Sequence, residues 1–336
     1  MARKTSRRSF LEWAGAMGLG GTLGCGAVPP SPSPTTNATP KKKYKAAFSN
    51  AGLKATWCAH GMKTAQRWGE WLGIDIKVYD SEFSVQQQLL DVEDMAVKDW
   101  DFVCIQAYGI KTLREPVRRL IDRGIPVIDM DTRIVPEGDD IGLWTFVTPD
   151  HEKQGEEATE AIVKAMGYKG KIVHVLGALA HSGARLRAKG FRNVVERYPE
   201  IEVLAEEPAD WDIEKVARIW DDWLVKFPEI DGAFLHNDDM AMAAVQAVKR
   251  SGQERDIVFG SIDAQEMGIN GVVKGDLVVS VMNPAGRIHW TALMLGYFAA
   301  QGQPKTDVPD VIYIDHPVVT KDNAASYQYL MKERMI

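Results

Sequence analysis

From Tyr44 onward the chain alternates between short apolar runs rich in β-branched residues and longer segments whose apolar positions recur every three or four residues. The short runs predict strands at 44–49, 74–79, 101–106, 126–130, 143–147, 171–176, 201–206, 231–235, 256–262, 277–282 and 311–314. The longer segments predict helices at 55–72, 84–97, 111–123, 150–167, 181–197, 212–226, 238–251, 264–273 and 284–302. Such regular alternation implies parallel sheets covered by helices on both faces. The right-handedness of βαβ crossovers then leaves few topologies. The alternation restarts after about residue 148 with elements of similar length, which predicts an α/β protein of two doubly wound lobes.

The turn residues agree with these elements. In "DRGIPVIDMD" Gly124 closes a helix and the next strand starts after Pro126. Asp150 and Asp212 stand where helix N-caps belong, and Pro149 blocks any continuation from upstream.

The first 43 residues follow neither pattern. Basic residues lead into twelve uncharged ones, Trp13 to Gly24, and then Cys25. This is the three-part layout of an export signal. The apolar run is too short to span a ~30 Å hydrocarbon core, and Gly15, Gly18, Gly20, Gly21 and Gly24 would each cost a helix roughly 1 kcal/mol. "SRRSFL" resembles the twin-arginine export motif, with Glu12 where a Lys is preferred. "TLGC" resembles a lipoprotein cleavage box with Cys25 as the lipidated residue, although Leu23 sits one position late. Soluble release after cleavage is the rival outcome. "VPPSPSPTTNATP" has almost nothing to bury and reads as a flexible tether.

Charge and cysteine content narrow the function classes. Only one of the 46 acidic residues but seven of the 40 basic ones fall in the first 43 positions, so the remainder carries a net charge of −12. An acidic body argues against nucleic-acid binding. No apolar run of membrane-spanning length follows residue 43. Cys104 in "FVCIQ" reads as a small buried hydrophobe, a Cys58–Cys104 bridge being the alternative in an oxidising compartment.

In doubly wound sheets ligands bind outside the carboxyl ends of the strands, and between two lobes the cleft is the default site. The strand ends deliver Asn50 with Trp57, Gln106 with Tyr108, Asp131, Arg185 and Arg187, Asp210 with Trp211, Asn237 with Asp238, Asp263 and Asn283. Carboxylates, amides and a guanidinium pair well with vicinal hydroxyls, and an indole face covers the C–H face of a sugar or polyol. Each residue also has a plainer reading as a helix cap, a core residue or a surface ion pair. The motifs of a serine hydrolase elbow, a zinc protease and a P-loop are missing, so no enzyme is expected. The seven histidines lack metal-ligand spacing, so neither metal nor cofactor is expected.

"IPVIDMD", "GARLRAKGF", "PADWD", "FLHNDDMAMAA" and "FGSIDA" resemble, in order and spacing, the ribose- and galactose-type periplasmic sugar-binding proteins, the capture components of ABC importers. The resemblance implies the type I periplasmic binding fold, two Rossmann-like lobes joined by three hinge strands. It implies an export signal over 1–25, a linker over 26–43, one lobe over 44–148 plus 283–310 and another over 149–282 plus 311–336. Carried over motif by motif, the ligand residues are Asp131, Arg185, Trp211, Asn237 and Asp263, with Gln106, Asn50 and Trp57 from the first lobe. Asn283 takes the place of a hinge Gln, since Met282 stands at that position. The first loop, "SNAGLKATWC", lacks the Pro and the second aromatic residue common in the family. A linear polyol therefore fits as well as a pyranose. The implied partners are a sugar or polyol and a membrane permease, with the binder itself a monomer touching the membrane only through a lipid anchor. The same fold presenting a sugar-like signal to a sensor is the alternative.

Overall fold

The computed structural model describes residues 43–332. The export signal, Cys25 and the tether up to residue 42 lie outside the described residues. The chain first builds β1 (Tyr44–Asn50), α1 (Thr56–Leu72), β2 (Ile74–Asp80), α2 (Val85–Ala96), β3 (Phe102–Ile105), α3 (Arg114–Asp122), β4 (Val127–Met130) and β5 (Thr145–Thr148). It then crosses to a second lobe of α4 (His151–Ala165), β6 (Gly170–Leu176), α5 (Ser182–Val195), β7 (Ile201–Pro208), α6 (Ile213–Lys226) and β8 (Gly232–Leu235). That lobe continues through α7 (Asp238–Ser251), β9 (Val258–Asp263), α8 (Glu266–Lys274) and β10 (Val279–Met282). Helix α9 (Ala285–Ala300) and β11 (Val311–Tyr313) return to the first lobe, while β12 (Val318–Thr320) and α10 (Ala324–Lys332) finish on the second.

Each lobe holds one six-stranded sheet, in the order β2-β1-β3-β4-β5-β11 and β7-β6-β8-β9-β10-β12. All pairings are parallel except β10 with β12. β3, β4, β8 and β10 are buried at every position, as strands covered on both faces must be. In the first lobe Phe48, Phe102 and Ile128 pack under α1 and α9 on one face, and Val103, Leu120 and Val92 fill the other. In the second lobe Ile162 and Phe191 fill one face and the fully buried Trp220 and Trp223 the other. Truncating either tryptophan to Ala would cost about 3–5 kcal/mol.

The helix starts follow from local chemistry. Asp150 accepts from Lys153 N at 2.9 Å and Asp212 from Glu214 N at 2.8 Å. α7 is capped by Asn237, whose Oδ1 accepts from Met240 N at 2.9 Å.

The expected boundary at 310/311 is corrected. β11 pairs in parallel with β5, Val311 opposite Phe146, and Ile312 and Ile314 pack on the first-lobe core. The alternation of Ile312 and Ile314 needs that core, so the third crossing falls after Ile314 rather than before Val311. The elements β12 and α10 were not anticipated, because three residues of strand carry no periodicity. The crossings contain Pro149, Pro284 and Pro317, each with a fixed φ and no donor. The second and third are joined, Met282 N donating to Pro317 O at 2.9 Å. Cys58 and Cys104 are both buried free thiols, which excludes the bridge.

Candidate functional site

The carboxyl ends of both sheets face one another across a cavity of about 40 Å³. That is room for little more than one water, so admitting a sugar-sized molecule requires the lobes to part. Polar contacts hold them together, among them His151 of α4 on Asp131 O at 2.8 Å. Asp239 of α7 accepts from Thr56 N at 3.3 Å and Thr56 Oγ1 at 3.0 Å. His60 meets Gln265 at 3.0 Å, Arg133 N donates to Ser182 Oγ at 2.9 Å, and Ile110 N donates to Ala180 O at 3.2 Å. Ala55, the N-cap residue of α1, supplies no side-chain cap. Asp239 supplies it from the other lobe, where orphan amides and the helix dipole favour a carboxylate.

From the first lobe, Trp57, Gln106 and Asp131 line the cavity. Trp57 Nε1 donates to Asn283 O at 2.8 Å, which fixes the indole as a wall. Gln106 donates to Asp131 Oδ2 at 3.1 Å and accepts from Ala51 N at 3.2 Å. Asn283, on the second crossing, donates to Asp131 Oδ1 at 3.0 Å. Burial alone would raise the Asp131 carboxyl, but the Arg187 charge and the hydrogen bond from the Asn283 amide pull it down, and the group lies below the usual carboxylate range. Asn50 does not line the cavity. It lies behind the wall, its Oδ1 3.0 Å from His289 Nε2 and its amide directed to Met62 Sδ.

The second lobe contributes Arg187, Trp211, Asn237 and Asp263. The expectation for Arg185 is corrected. Its side chain is exposed and donates to Leu179 O at 3.0 Å. Two residues along a helix is a rotation of about 200°, and it is Arg187 that turns inward. Arg187 is 3% exposed and donates to His236 O at 2.6 Å, with Asp263 at 3.7 Å. The backbones of α4 and α5 touch at this point, since a Cβ on Gly155 would strike Arg187 O. Burial pushes the Asp263 carboxyl well above its usual range, against the pull of Arg187. The indole of Trp211 lies flat against Gly177, where any Cβ would meet it. Behind Gly177, whose N–H donates to His236 Nδ1 at 3.0 Å, His236 meets His174 at 2.8 Å, and His174 meets Glu206 at 2.8 Å. With His236 Nδ1 an acceptor, Nε2–H donates to His174, and His174 Nδ1–H donates to Glu206.

Two aromatic lining residues were missed in the sequence. Phe83 stands on the turn after β2, its ring 5.8 Å from Tyr108, and provides the second aromatic wall that the first loop lacks. His181, after β6, packs edge-on to Trp211 at 5.3 Å, and burial lowers its pKa to about 3, so it is neutral. Both lie just past strand ends, where the placement rule would have found them. Four of the nine non-glycine residues with positive φ among the described residues, Phe83, Asp131, Trp211 and Asp263, line this cavity. Such strain concentrates at ligand clamps.

Two lining side chains hold buried atoms without partners among the described residues, the donor Arg187 Nε and the acceptor Asn283 Oδ1. Buried polar atoms are normally paired, though Trp144 Nε1 and Trp220 Nε1, which do not line the cavity, are unpartnered too. A hydroxyl, donor and acceptor at once, suits both Arg187 Nε and Asn283 Oδ1.

The chain matches the periplasmic binding protein domain over residues 46–304. It is 28% identical to the xylitol-binding protein of Mycolicibacterium smegmatis over 336 residues, 98% of this chain and 90% of that one. It is 26% identical to the ribose import binding protein of Bacillus subtilis over 230 residues, 68% of this chain and 73% of that one. A twin-arginine translocation pathway signal protein from Burkholderia phytofirmans has the same fold, with TM-score 0.81 at 22% identity over 87% of this chain and 94% of the other. With two six-stranded lobes, three crossings and a cleft at the strand ends, the chain belongs to the periplasmic binding protein family, in the type I fold that its ribose- and galactose-type motifs implied.

Proposed function

We propose that this protein captures a sugar or polyol between its lobes and delivers it to the permease of an ABC importer. The observation that carries the reading is the pairing of unpartnered Arg187 Nε and Asn283 Oδ1 in a cavity walled by Trp57, Phe83 and Trp211. The carboxylates of Asp131 and Asp263 accept further hydroxyls, Gln106 and Asn237 complete the set, and Arg187 offsets the negative charge. Such a site suits a neutral polyhydroxylated ligand better than an ion. The names of the matched relatives, xylitol-binding and ribose import binding proteins, point the same way, and favour import over sensing. The role is capture without turnover.

The ligand enters an open form, and its hydroxyls bind both lobes at once, so it favours the closed form by differential affinity. The first 42 residues fit export by the twin-arginine route to the periplasm or the outer face of the cell membrane, with Cys25 lipidated there and the Pro-rich segment as tether. Isothermal titration against pentoses, hexoses and linear polyols tests the reading. Saturable binding of one class supports it, and a folded protein silent to all of them would overturn it.

A further inference from the structure

Helix α9, "AGRIHWTALMLGYFAA", carries one charge in sixteen residues. A helix apolar all round is normally buried all round. Here one face packs on the first sheet and α1, while Trp290 and Phe298 on the other are 38% and 44% exposed. Trp68 and Trp71 of α1 extend the same surface, at 37% and 75% exposure. Trp68 lies 5.3 Å from Trp71 and 6.1 Å from Trp290, ring to ring. The three tryptophans thus form an outward patch on the first lobe.

We propose that this patch seats the protein on a lipid bilayer, the indoles lying at the headgroup level. Three observations select lipid. Tryptophan, with an apolar body and one N–H, is the side chain that favours a bilayer interface. The exposed cations Lys63 and Arg67 stand on α1 beside the patch against one exposed acid, Glu70, although the body as a whole is acidic. The tether also enters beside it: Tyr44 N donates to Gly73 O at 3.2 Å, two residues after Trp71, and the Tyr44 ring meets Tyr297 of α9 at 5.1 Å. The patch is tested without the anchor.

The full chain carrying Cys25→Ser, which cannot be acylated, is compared with the same chain also carrying Trp71→Ser and Trp290→Ser. Any contribution of the first 42 residues is then common to both. Each is floated with vesicles of phosphatidylcholine alone or with phosphatidylglycerol. The expected result is partition into the phosphatidylglycerol vesicles, a blue shift of tryptophan emission, and at least a fivefold loss of both in the double variant. Ligand titration in the two chains separates this outcome from a failure of fold or of the capture reading. Equal partition of the two chains would overturn the proposal. So would a concentration-dependent dimer abolished by the substitutions, which would assign the patch to a second copy.

Discussion

Replacing Arg187 by Leu while leaving Arg185 in place, and the reverse with Arg185→Ala, gives the sharpest test of how the site is built. Arg187 Nη1 donates to His236 O, its Nε is buried and unpartnered, and its charge faces Asp131 and Asp263. A hydrogen bond from a charged donor contributes about 1.5–3 kcal/mol, so losing the ligand contact alone weakens binding by roughly 10- to 150-fold. Removing one partner of a buried ion pair costs about 3–5 kcal/mol of stability. The 3.7 Å separation from Asp263 is loose and Asp263 can take up a proton, so the lower end of that range is expected. Arg187→Lys keeps the charge but loses the fork and should fall between. Arg185→Ala should leave both Kd and melting temperature within error, because its guanidinium reaches only Leu179 O. Titration calorimetry and thermal melts on the same samples separate affinity from folding. Loss of binding in Arg185→Ala with retention in folded Arg187→Lys would refute the assignment.

Gly177→Ala drives a methyl into the Trp211 indole; the overpacking should cost about 1–3 kcal/mol and weaken ligand binding, read by melting and by the ligand-induced change in fluorescence. Asp239→Ala removes the cap that forms across the cleft, so scattering should show a more extended protein without ligand and titration a weaker Kd. Acid acts on the fold through opposed groups. His181 and His289 are buried with pKa values lowered to about 3 and 4, so below pH 6.5 only the unfolded chain takes up their protons, at about 2 kcal/mol each by pH 5. Asp238, raised to about 7 by burial, works in the opposite sense by about 2.7 kcal/mol, as do the raised carboxyls of Asp129 and Asp263. His289→Gln removes one of the losses, so going from pH 7 to pH 5 its melting temperature should hold up better than the parent's, and an equal or larger fall would contradict the neutral buried imidazole.

The lobes were legible because their strands are apolar runs and their helices amphipathic, and both signals are local. The choice between Arg185 and Arg187 was equally local. Ala184, Arg187, Ala188 and Phe191 form one buried stripe along α5, spaced as a core face requires. Reading that stripe would have placed Arg187 inside despite its charge. Asn50 had the right position, at a strand end, yet its side chain is held by His289, 239 residues away. No local pattern reports such a partner. The cap that Asp239 gives α1 from the other lobe was illegible for the same reason.

The central claim is that a neutral polyhydroxylated molecule occupies the cleft and is held by Arg187. Native mass spectrometry of the protein taken from its own cells, beside Arg187→Leu, tests it most directly. The account predicts a noncovalent adduct with the mass of a sugar or polyol, present in the parent protein and lost in the variant. An adduct of a charged or apolar compound, or one retained undiminished in Arg187→Leu, would contradict it.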